Sequence, residues 1–167
     1  KYVWVQPGVV LDHLNAYLKP YGLWFPVDVS TSSRATIGGM SANNSCGSRS
    51  LYYGNMVHNV LAIEAILDDG SIFNFDQINK NYLATKNNQD RLYKIIDKFI
   101  DVRKQVGGEI DANWPTTQRR VGGYNIDLID PEGFNSSNLL VGSEGTLSLF
   151  NKICLLYTSP SPRDQRG

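Results

Sequence analysis

The sequence predicts an α+β fold, a β-sheet with helices packed on it, and three stretches predict it. Residues 60–75 carry two β-rich runs, Val60-Leu-Ala-Ile-Glu-Ala-Ile-Leu67 and Ser71-Ile-Phe-Asn-Phe75. Between them stands Asp68-Asp69-Gly70, whose Asp-Gly supplies the positive φ of a tight hairpin turn. Residues 91–106 hold a helical stripe of Leu92, Ile95, Ile96, Phe99, Val102 and Val106, with Lys94, Asp97, Lys98, Asp101 and Lys104 on the opposite side. Apolar runs at 139–142 and 147–156 then return as strands. A hairpin, a helix and returning strands in that order describe an α+β sheet.

The elements follow in chain order. Residues 1–8 read as a strand entering a turn at Pro7-Gly8, so upstream structure is expected to precede Lys1. Residues 9–19 place Val10, Leu11, Leu14, Ala16, Tyr17 and Leu18 close to helical spacing, with Pro20 and Gly22 as the stop. Leu23-Trp24-Phe25-Pro26 is a short strand edge. Residues 27–54 are rich in Ser, Thr, Gly and Asn and form the least regular stretch. Residues 76–90 read as a polar loop or insertion, and Gly107-Gly108 as the end of the long helix. From Thr158 onward the Ser-Pro-Ser-Pro run continues neither strand nor helix, and 158–167 is expected to be a non-native or disordered tail.

Composition narrows the function classes. The chain has 167 residues, 41% hydrophobic and 19% charged, enough for about one domain or part of a larger one. Sixteen Lys+Arg balance sixteen Asp+Glu, so bulk charge recommends neither nucleic acid nor an anionic membrane as partner. No apolar run reaches the ~20 residues of a membrane span. Cys46 and Cys154 stand far apart without Cys/His clustering, which argues against a disulfide framework and a zinc site. A cytoplasmic location, alone or at a membrane periphery, is the expectation.

Three segments have compositions suited to chemistry. In residues 30–48, Gly38-Gly39 would let backbone N–H groups approach a ligand, and Thr36, Ser41, Ser45, Asn43 and Asn44 offer hydroxyls and amides. Such a nest suits an oxygen-rich ligand such as a pyrophosphate, although it is neither a Walker loop nor a GxGxxG fingerprint. By composition alone it is a loop before it is a site. Arg119-Arg120-Val-Gly-Gly-Tyr-Asn125 could clamp a carboxylate or phosphate, and by itself reads as a solvated basic pair. Val141-Gly-Ser-Glu-Gly-Thr-Leu147 is a strand running into a small-residue turn, either a nucleotide contact or a plain turn. His13 and His58 lack companions for catalysis or metal binding, no GxSxG elbow is present, and Cys46 reads as a packing residue.

Together and in this order these segments resemble one family. Val5-Gln-Pro-Gly-Val-Val-Leu11, Gly22-Leu-Trp-Phe-Pro26, Ala35-Thr-Ile-Gly-Gly-Met-Ser-Ala-Asn-Asn44 with Gly47-Ser48, Tyr53-Gly54 and Val141-Gly-Ser-Glu-Gly-Thr-Leu147 carry the likeness. The family is that of FAD-linked oxidases with the vanillyl-alcohol-oxidase (PCMH-type) flavin fold, in the D-lactate, glycolate and D-2-hydroxyglutarate dehydrogenase branch. The resemblance implies that residues 1–157 are the second subdomain of such an FAD-binding domain, a mixed, mainly antiparallel sheet flanked by helices. It implies FAD as cofactor, contacted by Pro26, Asp28, Ser30, Thr36, Ile37, Gly38, Gly39, Met40, Asn43, Asn44, Gly47, Ser48, Tyr53 and Gly54, with Glu144, Gly145, Thr146 and Leu149 toward the adenosine end. Arg120 is the candidate for a substrate carboxylate. No residue of this chain is expected to be catalytic or to bind metal. The catalytic His, any metal ligands and the first pyrophosphate loop would lie outside it.

The implied activity is oxidation of a D-2-hydroxy acid by hydride transfer to the flavin. Electrons would pass to a quinone, a cytochrome, an electron-transfer flavoprotein or a fused iron–sulfur domain. Two other readings stay open: a nucleotide-binding fragment without turnover, and a reductase of cell-wall precursor synthesis on the same flavin fold. The sequence departs from the family at Ser148, where glycine is usual, and at Phe150-Asn151-Lys152.

Overall fold

The computed structural model describes residues 1–85 and 89–159. Four strands form one antiparallel sheet in the order β1-β6-β2-β3: β1 is Tyr2–Val5, β2 Val60–Ile66, β3 Ile72–Phe75 and β6 Leu149–Leu156. The expected hairpin is β2–β3. Gly70 adopts φ 81° and its N–H donates to the Leu67 carbonyl, while Asp69 accepts from the Ser71 amide at 2.9 Å. Strand β6 lies between β1 and β2, so Ile153 sits beside Val5 on one side and Ile63 on the other. All three are buried, which pins the register through the core face.

Helix α1, Leu11–Leu18, covers that face with Leu11, Leu14 and Leu18. Ala16 and Tyr17, expected on the apolar stripe, face water instead, because positions 11, 14 and 18 already complete one side of a two-turn helix. The stop is as expected: a 3-10 turn at Lys19–Tyr21 contains Pro20 and closes on Gly22 at φ 66°. Leu23 to Pro26 is not a strand. It is extended chain with a single bridge, Trp24 and Thr158 exchanging N–H···O bonds of 3.0 and 3.1 Å. Thr158 is thus tied to the body, and residues 160–167 of the expected tail lie outside the described residues.

The irregular stretch contains two short helices, α2 (Ile37–Ala42) and α3 (Ser50–Tyr53), and a third, α4 (Met56–Asn59), follows directly. Their low-propensity residues hide them from sequence reading, and tertiary contacts hold them. The expected polar loop at 76–90 holds strand β4, Gln77–Asn79, and helix α5, Lys80–Ala84, which Asn79 caps by accepting from the Tyr82 amide at 2.9 Å. Strand β4 pairs with a further short strand, β5 (Gly133–Asn135), in a separate two-stranded sheet.

Helix α6 runs from Arg91 to Asn113, straight through the glycine pair that was expected to end it. Ile110 beyond the pair is buried, and Arg103 reaches across to Asp111 at 2.8 Å, so contacts on both sides outweigh the helix cost of two glycines. The helix stops where Trp114 precedes Pro115, a residue that excludes the helical region before it. Val102 is 39% exposed, whereas Tyr93, Ile96 and Ile100 are buried. Ile96 and Ile100 join Ile78, Ile129, Phe134 and Leu139 in a second core, with Leu92 packing on both cores. The expected strand at 139–142 is instead the end of a 3-10 turn, Ser136–Leu139, followed by tight turns. Its apolar run is buried all the same.

Gly108 has helical φ and open space where a Cβ would stand. Gly108→Ala is therefore expected to raise stability by about 0.5–1 kcal/mol, read as a higher urea midpoint at unchanged slope. An unchanged or lower midpoint would show that this turn is not helical.

Candidate functional site

The segment after β1 and the start of α2 are tied together. Ile37 N donates to the Val9 carbonyl and Gly38 N to the Pro7 carbonyl, each at 2.8 Å. A Cβ on Gly38 would stand 2.5 Å from the Pro7 Cβ, so only glycine lets the two backbones meet this closely. Thr36, in extended conformation, accepts from the Gly39 amide at 3.2 Å and caps α2. At the other end of α2, Gly142 N donates to the Ser41 carbonyl and Glu144 N to the Ala42 carbonyl, both at 2.9 Å. Residues 142–145 bend sharply there, with φ of 83° at Gly142, 51° at Glu144 and 78° at Gly145.

These contacts leave a cleft of about 300 Å³. Thr36, Gly38, Gly39 and Ala42 form one wall, Gly145 and Ser148 another, and Pro7, Leu149 and Phe150 supply apolar surface. The glycine pair of α2 and the Gly145 turn, more than a hundred positions apart in sequence, thus share one concavity. The amides of Gly38 and Gly39, expected to point at a ligand, are turned inward onto Pro7 and Thr36. These glycines shape the wall and do not supply its donors.

Comparison with known proteins gives a family match and several relatives. Residues 1–76 match the family described as FAD binding domain. The chain is 35% identical over 158 residues to the D-2-hydroxyglutarate dehydrogenase of Haemophilus influenzae, covering 89% of this chain and 15% of that protein. It is 34% identical over 164 residues to the Escherichia coli protein of the same name, covering 94% and 16%. A Danio rerio protein described as a probable mitochondrial D-lactate dehydrogenase is 33% identical over 159 residues, covering 95% and 22%. Over its first 76 residues the chain is thus similar to the FAD binding domain family, and over most of its length to these dehydrogenases. It spans under a quarter of the length of these relatives.

The cleft fits part of a flavin dinucleotide. Its volume is at the lower end of small-molecule sites, and a mainly apolar lining that includes the hydroxyl side chains of Thr36 and Ser148 suits a nucleotide's ring with few polar contacts. Gly145 adopts a left-handed φ and has open space where a Cβ would project. Thr36, Gly38, Gly39, Gly145 and Leu149 of the expected contacts line the cleft, and Glu144 and Thr146 flank it in the same turn. Thr146 Oγ1 donates to the Ser143 carbonyl at 2.6 Å and lies 2.8 Å from the Tyr124 hydroxyl. Pro7, Ala42, Ser148 and Phe150 also line it, and sequence reading did not place them there. Pro7 and the departure at Ser148 were the available signals.

Most of the remaining expected contacts are held by partners within the fold. Ile37 and Met40 point into the core. Asn44 is 1% exposed at φ 51°, and its Oδ1 accepts from Val57 N at 3.0 Å. Asn43 is exposed and accepts from the Ser45 hydroxyl at 2.5 Å. Asp28 accepts from the Ser48 hydroxyl at 2.8 Å and from Arg49 N at 3.0 Å, and Gly47 packs so closely on Asp28 that a Cβ would overlap it. Pro26 is buried and Ser30 exposed. Gly54, at φ 77°, lies against His58, and the Tyr53 ring meets Trp24 edge-on at 5.7 Å.

Arg120 lines a different and smaller pocket, about 190 Å³, with Asn55, His58, Thr116, Gln118 and Asp127. Its guanidinium pairs with Asp127 at 2.7 Å and stacks over Trp114, 4.9 Å from the ring centroid. Arg119 donates to the Gly47 carbonyl at 3.2 Å, which ties this loop to the Asp28 cluster. Cys154 is buried in β6, and burial pushes its thiol pKa up, away from nucleophile chemistry. Among the described residues no group of three or more His, Cys, Asp or Glu could hold a metal ion, and no helix is long and apolar enough to cross a membrane.

Proposed function

We propose that this chain holds FAD in the cleft between α2 and the turn at 142–145, as the second subdomain, residues 1–157, of a flavin-dependent dehydrogenase of D-2-hydroxy acids. The observation that carries the reading is the convergence of Gly38-Gly39 and Gly145 on one cleft. Bound FAD supplies the acceptor for a hydride from the substrate's α-carbon. The lining side chains, Pro, Thr, Ala, Ser, Leu and Phe beside three glycines, include none that can accept a proton near neutral pH. These residues therefore bind and orient, and the base for the substrate hydroxyl comes from elsewhere in the polypeptide. The names of the relatives favour D-2-hydroxyglutarate or D-lactate as substrate. Arg120, with its charge already balanced by Asp127, serves a substrate carboxylate only if that pair opens. The acceptor would be a quinone, a cytochrome, an electron-transfer flavoprotein or an iron–sulfur partner. Free thiols at Cys46 and Cys154 accord with a reducing compartment, the cytoplasm.

Titration of the purified chain with FAD tests the reading. Saturable quenching of flavin fluorescence and a raised melting temperature are expected. A folded chain that leaves both unchanged overturns it.

A further inference from the structure

We propose that Ser148 is a cofactor-contact residue whose hydroxyl donates a hydrogen bond to a ribose or phosphate oxygen of the bound dinucleotide. The inference rests on the FAD reading of the cleft. Ser148 lines that cleft and is 8% exposed, yet its Oγ has no hydrogen-bond partner among the described residues. A buried hydroxyl without a partner is costly, and such a group calls for an explanation. The neighbouring donors do not supply one, because the amides of Gly38 and Gly39 are committed to Pro7 and Thr36. On the α2 side of the cleft the two glycine amides are thus spent, while the Ser148 hydroxyl is a side-chain donor that is not. To reach an oxygen-rich ligand in the cleft, Oγ would turn out of the wall by a rotation about χ1 between staggered wells. A serine hydroxyl suits that role because it donates without adding charge beside Pro7, Leu149 and Phe150.

The contact makes opposite demands on the free and bound states, and this separates it from a structural role. Removing an unpartnered hydroxyl should leave the ligand-free chain as stable as before, or more stable, while weakening the complex. The full chain and its Ser148→Ala and Ser148→Thr variants would be titrated with FAD by fluorescence quenching, and each would be unfolded in urea without ligand. The expected result is an FAD dissociation constant about five- to tenfold higher for Ser148→Ala, with an unchanged or higher urea midpoint. Ser148→Thr, which keeps the hydroxyl, should stay closer to the parent affinity. Where the added methyl unfolds that variant, Ser148→Gly replaces it and should match Ser148→Ala in affinity. Equal affinity of Ser148→Ala and the parent overturns the inference and leaves the FAD reading standing. So does a loss of affinity that merely follows a loss of ligand-free stability. A parent chain that binds no FAD overturns both.

Discussion

Asn44→Ala is expected to destabilise the chain by about 2–4 kcal/mol, with the loss already present in the absence of ligand. Two terms add. The Asn44 side chain is the acceptor for the buried Val57 amide, and alanine leaves that donor without its partner, worth about 1–3 kcal/mol. Asn44 also stands at φ 51°, a left-handed conformation that asparagine tolerates better than alanine, worth about a further 1 kcal/mol. Asn44 packs against Gly142 as well, where a Cβ built on the glycine would come within 3.4 Å of the Asn44 Cβ. Loosening Asn44 therefore loosens the turn that walls the cleft. Asn44→Gly separates the terms, since glycine accepts the φ and loses only the hydrogen bond. Urea unfolding of the three proteins is the measurement. Unchanged midpoints with a selective loss of FAD affinity would make Asn44 a direct cofactor ligand and sink its assignment as a support.

Gly38→Ala is expected to damage stability and binding together. The new methyl group would meet Pro7 at its Cβ, its carbonyl oxygen and its Cα, at 2.5, 3.0 and 3.1 Å. Two of these are backbone atoms and the third is fixed in a ring, so rotamer change gives no relief. Separation of the two segments also strains the 2.8 Å bond from Gly38 N to the Pro7 carbonyl. Overpacking of this kind costs about 1–3 kcal/mol, and the strained bond adds about 1. Pro7 and Gly38 both line the cleft, so FAD affinity should fall by about tenfold or more. Calorimetry of the ligand-free chain and an FAD titration check the two effects separately. A variant with parent-like melting would mean that the Pro7 contact is looser than described.

What could be read ahead was local. The β2–β3 hairpin follows from an Asp-Gly turn between β-rich runs, and the body of α6 from one apolar stripe. Helix α2 could not be read, because a six-residue stretch beginning Ile-Gly-Gly has poor intrinsic propensity and is held by Thr36 and by bonds to Pro7 and Val9. Continuation of α6 past Gly107-Gly108 was invisible for the converse reason. Its justification is a buried Ile110 and an Arg103–Asp111 pair, neither of which a helix-stop signal includes. In the site, the motifs named Thr36, Gly38, Gly39, Gly145 and Leu149, all of which line the cleft. Ser148 stood out only as a departure from pattern, with no hint that its hydroxyl would be without a partner.

By itself, then, the amino-acid order determined the kind of fold and the family likeness, because hairpin turns, amphipathic stripes and paired glycine motifs are written in near neighbours. The tertiary structure alone decided which polar groups remain for a ligand. Whether an amide or hydroxyl is spent depends on what the fold sets against it, and for Gly38 that partner is Pro7, thirty-one positions away.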